Sequence, residues 1–349
     1  MKARTVIVGL AFAVAAIAPS QAAAQAKHQN LVIDLWDAGK PVFGVYATTE
    51  GQPLPGQPNP TAGGQRGAPA PAAQGQRGAT PDQIRQQIAT LQQQLQQMEA
   101  AGARGQAAGG GRGAAPASAD LGYTKAVGEA LGKNPLYDFI FLNLEGRFSP
   151  DAVKNMSEGL RSPGASSRKT LIVRIPPMDV SGVEGTRTII KQSFDNGADG
   201  VTIPHITSLE EAKQAVAFLA AATNNGIWSP TNPSGEKLGM LMVEDPGALM
   251  VAKQIADLKA FSVMACGIGS MGGAIRSTFG DGATQMATQM AEAATQQVLL
   301  ESKRVKIPNM LTAQPGDVVN RVNQGFLALL MSGPTADLAI KIGRLAAGR

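Results

Sequence analysis

The chain holds one cysteine, Cys266, in 349 residues. No intramolecular disulfide can form from it. A nucleophilic role would need a base beside the thiol, and the apolar surroundings "FSVMACGIG" suit a small buried residue better. Histidine is almost as scarce, with only His28 and His205 present. Beyond the N-terminal segment, imidazole chemistry therefore falls on His205 alone. Aromatic residues make up 4% of the chain, too few for a surface that stacks single-stranded bases. A basic face is missing as well. The formal charge of +5 traces to Lys2 and Arg4, and to five arginines set against Asp82 and Glu99 in residues 51–118. The remainder is neutral, so nothing supports a nucleic-acid surface on the body of the chain.

Long hydrophobic runs are limited to one. Val6 to Ala18 follows Lys2 and Arg4 and precedes the small residues Ala24–Gln25–Ala26. About 13 apolar residues fall short of the roughly 20 that span a bilayer. The pattern is that of a secretory signal peptide over residues 1–26. The expectation is an exported protein, periplasmic in a bacterium, with no membrane span after cleavage.

Residues 51–118 carry almost no large apolar side chains at either end, and "GQRG" occurs twice, at Gly64 and Gly75. Such a composition buries too little surface to offset chain entropy. Between these arms, Ile84, Ile88, Leu91, Leu95 and Met98 step by four and three, the seam of a short amphipathic helix over 81–100. Thr80 can cap it, and Pro81 suits its first position. This segment reads as an insert, with the barrel beginning at 27–50 and resuming at 119–349. Its face bears no reactive group, so docking on the body or on a second copy is the expectation.

Without signal and insert, about 255 residues remain, close to the roughly 250 of a (β/α)8 barrel. Apolar strand-like runs fall at 41–49, 137–145, 169–176, 200–206, 237–244, 261–269, 304–310 and 325–333, with helical patterns between them. Their near-continuous apolar character suits parallel strands covered on both faces. The fold expected is a (β/α)8 TIM barrel with a long low-complexity insert after strand 1. An open doubly wound sheet is the alternative. In a barrel, chemistry sits at the C-terminal strand ends. Those ends are Thr49, Asn143, Glu145, Arg174, His205, Glu244 and the stretch "GIGSMGG".

At these positions the chain resembles the HpcH/HpaI aldolase/citrate lyase family, metal-dependent class II enzymes acting on 2-oxo acids. The likeness runs through "GKPVFGVY", "YDFIFLNLEG", "LIVRIPPMD", "IIKQSFDNGADGVTIPHITSLEEAKQAV", "GMLMVED" and "GFLALLMSGPTADLAIKIGR". It covers most of 38–345 apart from the insert. The resemblance implies a carbon–carbon lyase working through a pyruvate enolate. Arg174 matches the arginine that holds the enolate oxygen, a role suited to a permanently charged guanidinium. Glu244 matches a carboxylate that binds Mg2+, Mn2+ or Co2+; a helix-start carboxylate is the other reading of "EDPGA". Homo-oligomers, commonly hexamers, are also implied.

The departures are specific. The family's second metal ligand, an aspartate, is replaced by Ser270 in "GIGSMGG", a weaker ligand for a hard cation. Backbone N–H groups near Gly269 and Ser270 could still bind a substrate carboxylate. The family's histidine in Asp-x-Glu-His is Gly146 here, and its aspartate is Asn143. Asp195 matches the residue that orients that missing base, or is a plain helix-end residue. His205 is therefore open to three readings: a relocated base, a metal ligand compensating for Ser270, or an unreactive rim histidine. Three functions follow: an aldolase-type lyase, a non-catalytic ligand-binding barrel, or a metal-free elimination in the same anion pocket.

Overall fold

The structure is a computed structural model describing residues 27–57, 121–279 and 284–349. The expected signal peptide and the helix over 81–100 lie outside these residues. Eight parallel strands close into a barrel in sequential order. They are β1 (Val42–Tyr46), β2 (Phe139–Asn143), β3 (Thr170–Arg174), β4 (Gly200–Ile206), β5 (Leu238–Val243), β6 (Val263–Ala265), β7 (Asn309–Thr312) and β8 (Ala328–Met331). Closure comes from β1 pairing with β8 in the register Val42↔Ala328 to Val45↔Met331. The barrel expectation therefore holds, and the open sheet does not.

Alternation along each strand builds two cores. Phe139, Phe141, Ile172, Met240, Met242 and Leu330 fill the barrel interior. Their neighbours Ile140, Leu142, Val173 and Leu241 face the helices. Each fully buried side chain of this size contributes about 1.5–3 kcal/mol of transfer free energy. Inside β1, Gly44 has no side chain because the Phe139 ring occupies that space. The bottom is plugged by α1 (Leu31–Asp37), capped by the Asn30 side chain. Its Trp36 stacks on Trp228 at 5.6 Å and donates to the Leu327 carbonyl at 2.8 Å.

The outer layer comprises α2 (Lys125–Lys133), α3 (Pro150–Leu160), α4 (Met178–Ser181), α5 (Val183–Asp195), α6 (Leu209–Ala222), α7 (Pro246–Met250), α8 (Ala252–Asp257), α9 (Ile268–Phe279), α10 (Thr284–Val305), α11 (Val318–Gln324) and α12 (Ala336–Ala346). No described helix is long and apolar enough to cross a membrane.

Three sequence boundaries change. β1 ends at Tyr46, three residues before Thr49. Residues 304 and 305, read as strand, form the last turn of α10, where Lys303 and Arg304 complement the helix dipole. Lys306, at φ 60°, ends that helix, and β7 starts only at Asn309. The stretch "GIGSMGG" is not a loop: from Ile268 it is helical, with the Met271 N–H donating to the Gly267 carbonyl at 2.8 Å. The first residues assigned to the insert also belong to the body. Gly56 N–H donates to the Gly333 carbonyl, and Tyr137 hydroxyl donates to the Pro55 carbonyl. Glu50 N–H donates to the Gly122 carbonyl at 2.7 Å, so the chain's exit from the barrel and its return are tied together.

Candidate active site

Strand alternation decides which side chains reach the barrel mouth. Counting inward positions in steps of two ends β1 at Tyr46, runs β2 on to Glu145, and ends β3 at Arg174. It also runs β5 on to Glu244 and β6 on to Gly267. Four charged or titratable groups meet there. Arg174, 8% exposed, directs Nη2 to Glu244 Oε2 at 2.9 Å and to Glu145 Oε1 at 3.1 Å. Glu244, 2% exposed, also accepts the His205 backbone N–H at 3.3 Å. His205 Nε2 lies 2.8 Å from Glu145 Oε1 and 3.6 Å from Glu244 Oε2. A carboxylate only accepts, so Nε2 carries the proton and Nδ1 is the ring's basic nitrogen.

His205 breaks the alternation, and the backbone shows how. The register between β4 and β5 shifts between Ile203 and Ile206, a bulge centred on Pro204 and His205. Pro204 has no N–H to lose from the ladder. His205 adopts φ 51°, a left-handed conformation costing a β-substituted residue on the order of 1–2 kcal/mol. That distortion turns the imidazole toward Glu145. The hydrogen bond from the ring to Glu145 is the largest influence on it and raises its pKa above 6.5, against the opposing effect of burial.

Beside Arg174 opens a cleft of about 220 Å3, lined by Tyr46, Glu244, Cys266, Ser270 and Thr312 among others. His205 and Glu145 do not line it. Arg174 thus forms one wall of the cleft and also anchors the His205–Glu145 pair. Its Nε is buried with no hydrogen-bond partner, an exception to the usual pairing of buried donors. Gly269 and Ser270 lie in the first turn of α9, where backbone N–H groups have no partner within the helix. Glycine at 267 leaves room for Glu244: a Cβ there would overlap Glu244 Oε1 and displace the carboxylate. Cys266 is buried, and desolvation pushes its thiol up to about 11, which leaves it protonated and inert.

Arg174, His205, Glu244, Gly269 and Ser270 are thus gathered at one mouth. Asp195 is not. It ends α5, on the side where the chain enters β4, and pairs with Lys191 Nζ at 2.5 Å on the exposed surface. It cannot orient a base at the mouth. Glu145 takes the place beside the imidazole instead. Tyr46 escaped sequence reading because strand 1 was extended to Thr49; its inward parity with Val42 and Gly44 was the available signal.

The donor set does not fit a resident divalent cation. Glu244 and Glu145 already share Arg174 Nη2, so a cation between them would lie against a buried guanidinium. Asp245 is the N-cap of α7, its Oδ1 accepting the Gly247 N–H at 2.7 Å. Ser270 offers only a neutral hydroxyl. Among the described residues, no three His, Cys, Asp or Glu side chains are grouped to hold a metal ion. Glu244, expected as a metal carboxylate, is held in an ion pair with Arg174.

No protein-family model matches the chain, and no curated protein matches it. Solved structures do match in part. An HpcH/HpaI aldolase from Desulfitobacterium hafniense has 16% identity and a TM-score of 0.47, over 63% of this chain and 85% of that one. An HpcH/HpaI aldolase/citrate lyase family protein from Burkholderia cenocepacia has 16% identity and a TM-score of 0.47, over 61% and 86%. A citrate lyase from Burkholderia xenovorans has 18% identity and a TM-score of 0.48, over 64% and 72%. These are distant matches; they assign no chemistry to this chain.

Proposed function

We propose that this protein is a lyase that cleaves or forms a carbon–carbon bond next to the enolate of a small 2-oxo acid, with a guanidinium in the place of a metal ion. The observation that carries this reading is Arg174, buried between Glu145 and Glu244 and forming a wall of the cleft. In the cleavage direction the substrate is a 4-hydroxy-2-oxo acid. Its 2-oxo end lies in the cleft against Arg174, and the N–H groups at the start of α9 receive its carboxylate. Its hydroxyl end lies at His205. Nδ1 takes the hydroxyl proton, with Glu145 steadying the imidazolium that forms. The C3–C4 bond breaks, an aldehyde leaves, and the electron pair becomes an enolate whose oxygen charge Arg174 neutralises. Protonation at C3 completes the 2-oxo acid.

A charge-stabilising donor of this kind is worth about 10^2–10^3 in rate, and a general base about 10^2–10^4. The test is pyruvate release from 4-hydroxy-2-oxo acids, measured for wild type, Arg174→Met and His205→Gln. Losses of about those sizes are expected. Full activity in Arg174→Met would remove the reading. The elimination alternative uses the same residues and is recognised by an unsaturated product in place of an aldehyde. Export and self-assembly are part of the proposal: a periplasmic homo-oligomer is expected, read by fractionation and by mass in solution.

A further inference from the structure

The cleft contains a hydroxyl that the fold does not use. Tyr46 is the last residue of β1 and faces inward with Val42 and Gly44. Its ring packs edge-on against Phe141, with centroids 5.3 Å apart and planes at 79°. It lines the cleft with Arg174 and Glu244. Among the described residues no hydrogen bond to the Tyr46 hydroxyl is formed, and its oxygen is not sealed from solvent. A phenol whose oxygen is enclosed by the fold finds a partner. Tyr137 shows the usual outcome in this same chain, donating to Asp337 at 2.7 Å and to the Pro55 carbonyl. Arg174 lines the same space and holds a buried Nε with no hydrogen-bond partner.

The chemistry leaves a matching task. His205 and Glu145 do not line the cleft, so they attend the hydroxyl end of the substrate. The carbon that must gain a proton lies at the other end, within it. We propose that Tyr46 is the catalytic acid that protonates C3 of the enolate bound at Arg174. This rests on the lyase reading above. The phenol O–H bond breaks and a C3–H bond forms from the enolate's electron pair. The oxygen charge collapses to the C2 carbonyl, leaving a 2-oxo acid and a phenolate. The proton taken by His205 passes through water back to the phenolate, so the cycle consumes no other reagent. A phenol is protonated at neutral pH, and burial raises its pKa further, with Arg174 opposing and Glu244 and Glu145 adding to that effect. The donor is thus ready in its resting form. In reverse, the phenol's proton passes through water to His205, and the phenolate so formed removes a C3 proton, which exchanges the methyl hydrogens of pyruvate with solvent.

The experiment is proton NMR of pyruvate in D2O with full-length wild type and Tyr46→Phe, alongside calorimetric binding of oxalate, a planar mimic of the enolate. Tyr46→Phe keeps the edge contact with Phe141 and removes only the hydroxyl. Exchange is expected to slow by about 10^2-fold or more. Oxalate is expected to bind within about tenfold of wild type, the loss of one neutral hydrogen bond. Exchange within about threefold of wild type overturns the role of Tyr46 while leaving the lyase reading intact. Loss of oxalate binding in Tyr46→Phe also overturns it, because the residue is then part of the binding wall. If wild type neither binds oxalate nor exchanges pyruvate, the lyase reading fails and takes the acid with it.

Discussion

Removing the cation from the Arg174 cluster tests its electrostatics without reference to any substrate. Arg174→Met preserves length and apolar volume but strands two carboxylates. They are not equivalent. The Glu145 side chain is 26% exposed and regains water, whereas that of Glu244 is 1% exposed and cannot. Breaking a buried pair in this way costs about 3–5 kcal/mol. Solvation of Glu145 and the His205 ring 3.6 Å from Glu244 place the cost near the lower end. At about 2–4 °C per kcal/mol for a domain of this size, the melting temperature falls by roughly 10 °C. Adding Glu244→Leu to Arg174→Met removes the stranded charge, and an apolar pair restores most of the loss. Urea unfolding of wild type, both single variants and the double variant gives the coupling, provided the denaturant slope is unchanged. The reasoning is refuted if Arg174→Met costs less than about 1 kcal/mol, or if the double variant is no more stable than the single.

Further outcomes follow from the same geometry. Gly267→Ala places a methyl on Glu244 Oε1 and should cost about 1–3 kcal/mol in urea unfolding, whereas Gly269→Ala, with open space at its Cβ, should not destabilise. Glu145→Gln removes the largest influence raising the His205 pKa. A base works when neutral, above its pKa, so the acid limb of the pH–rate profile should move to lower pH; an unmoved limb would rule out His205. The stability gained from the raised His205 pKa is present below pH 6.5 and lost as pH rises through the folded value, and this dependence should vanish in the same variant. Lys169, 1% exposed, reaches only the Ser166 and Ser167 hydroxyls, and burial lowers its pKa to about 8. Its depressed value makes stability rise between about pH 8 and 10.5, where only the unfolded chain still holds the proton, and Lys169→Met should flatten that rise in urea titrations. Asp195→Asn should leave turnover unchanged, since its pair with Lys191 is exposed and far from the mouth.

The barrel was legible because its strands are covered on both faces and read as apolar runs. Arg174 and Glu244 were legible for a related reason: a charge at the end of such a run has only the mouth to face. Boundaries were less so. In "RVKIPNM" the alternation of a strand and the last turn of a long helix look alike over three residues, and only tertiary packing placed the boundary after Lys306. In "GIGSMGG" the glycines argued for a loop, yet Met271 and Ile275 bury a helical face. The His205–Glu145 contact could not be read at all. It depends on a bulge and on a left-handed residue that propensity disfavours for histidine. Asp195 misled because its sequence context was matched while its place in the barrel is at the opposite end.

The central claim is that Arg174 does here what a cation would otherwise do. It is tested most directly by following deuterium exchange into pyruvate after exhaustive chelation, with and without added Mg2+ or Mn2+. The account predicts exchange that chelation does not diminish, that added metal does not raise, and that Arg174→Met reduces by about 10^2-fold or more. Exchange that disappears on chelation and returns with metal would contradict it.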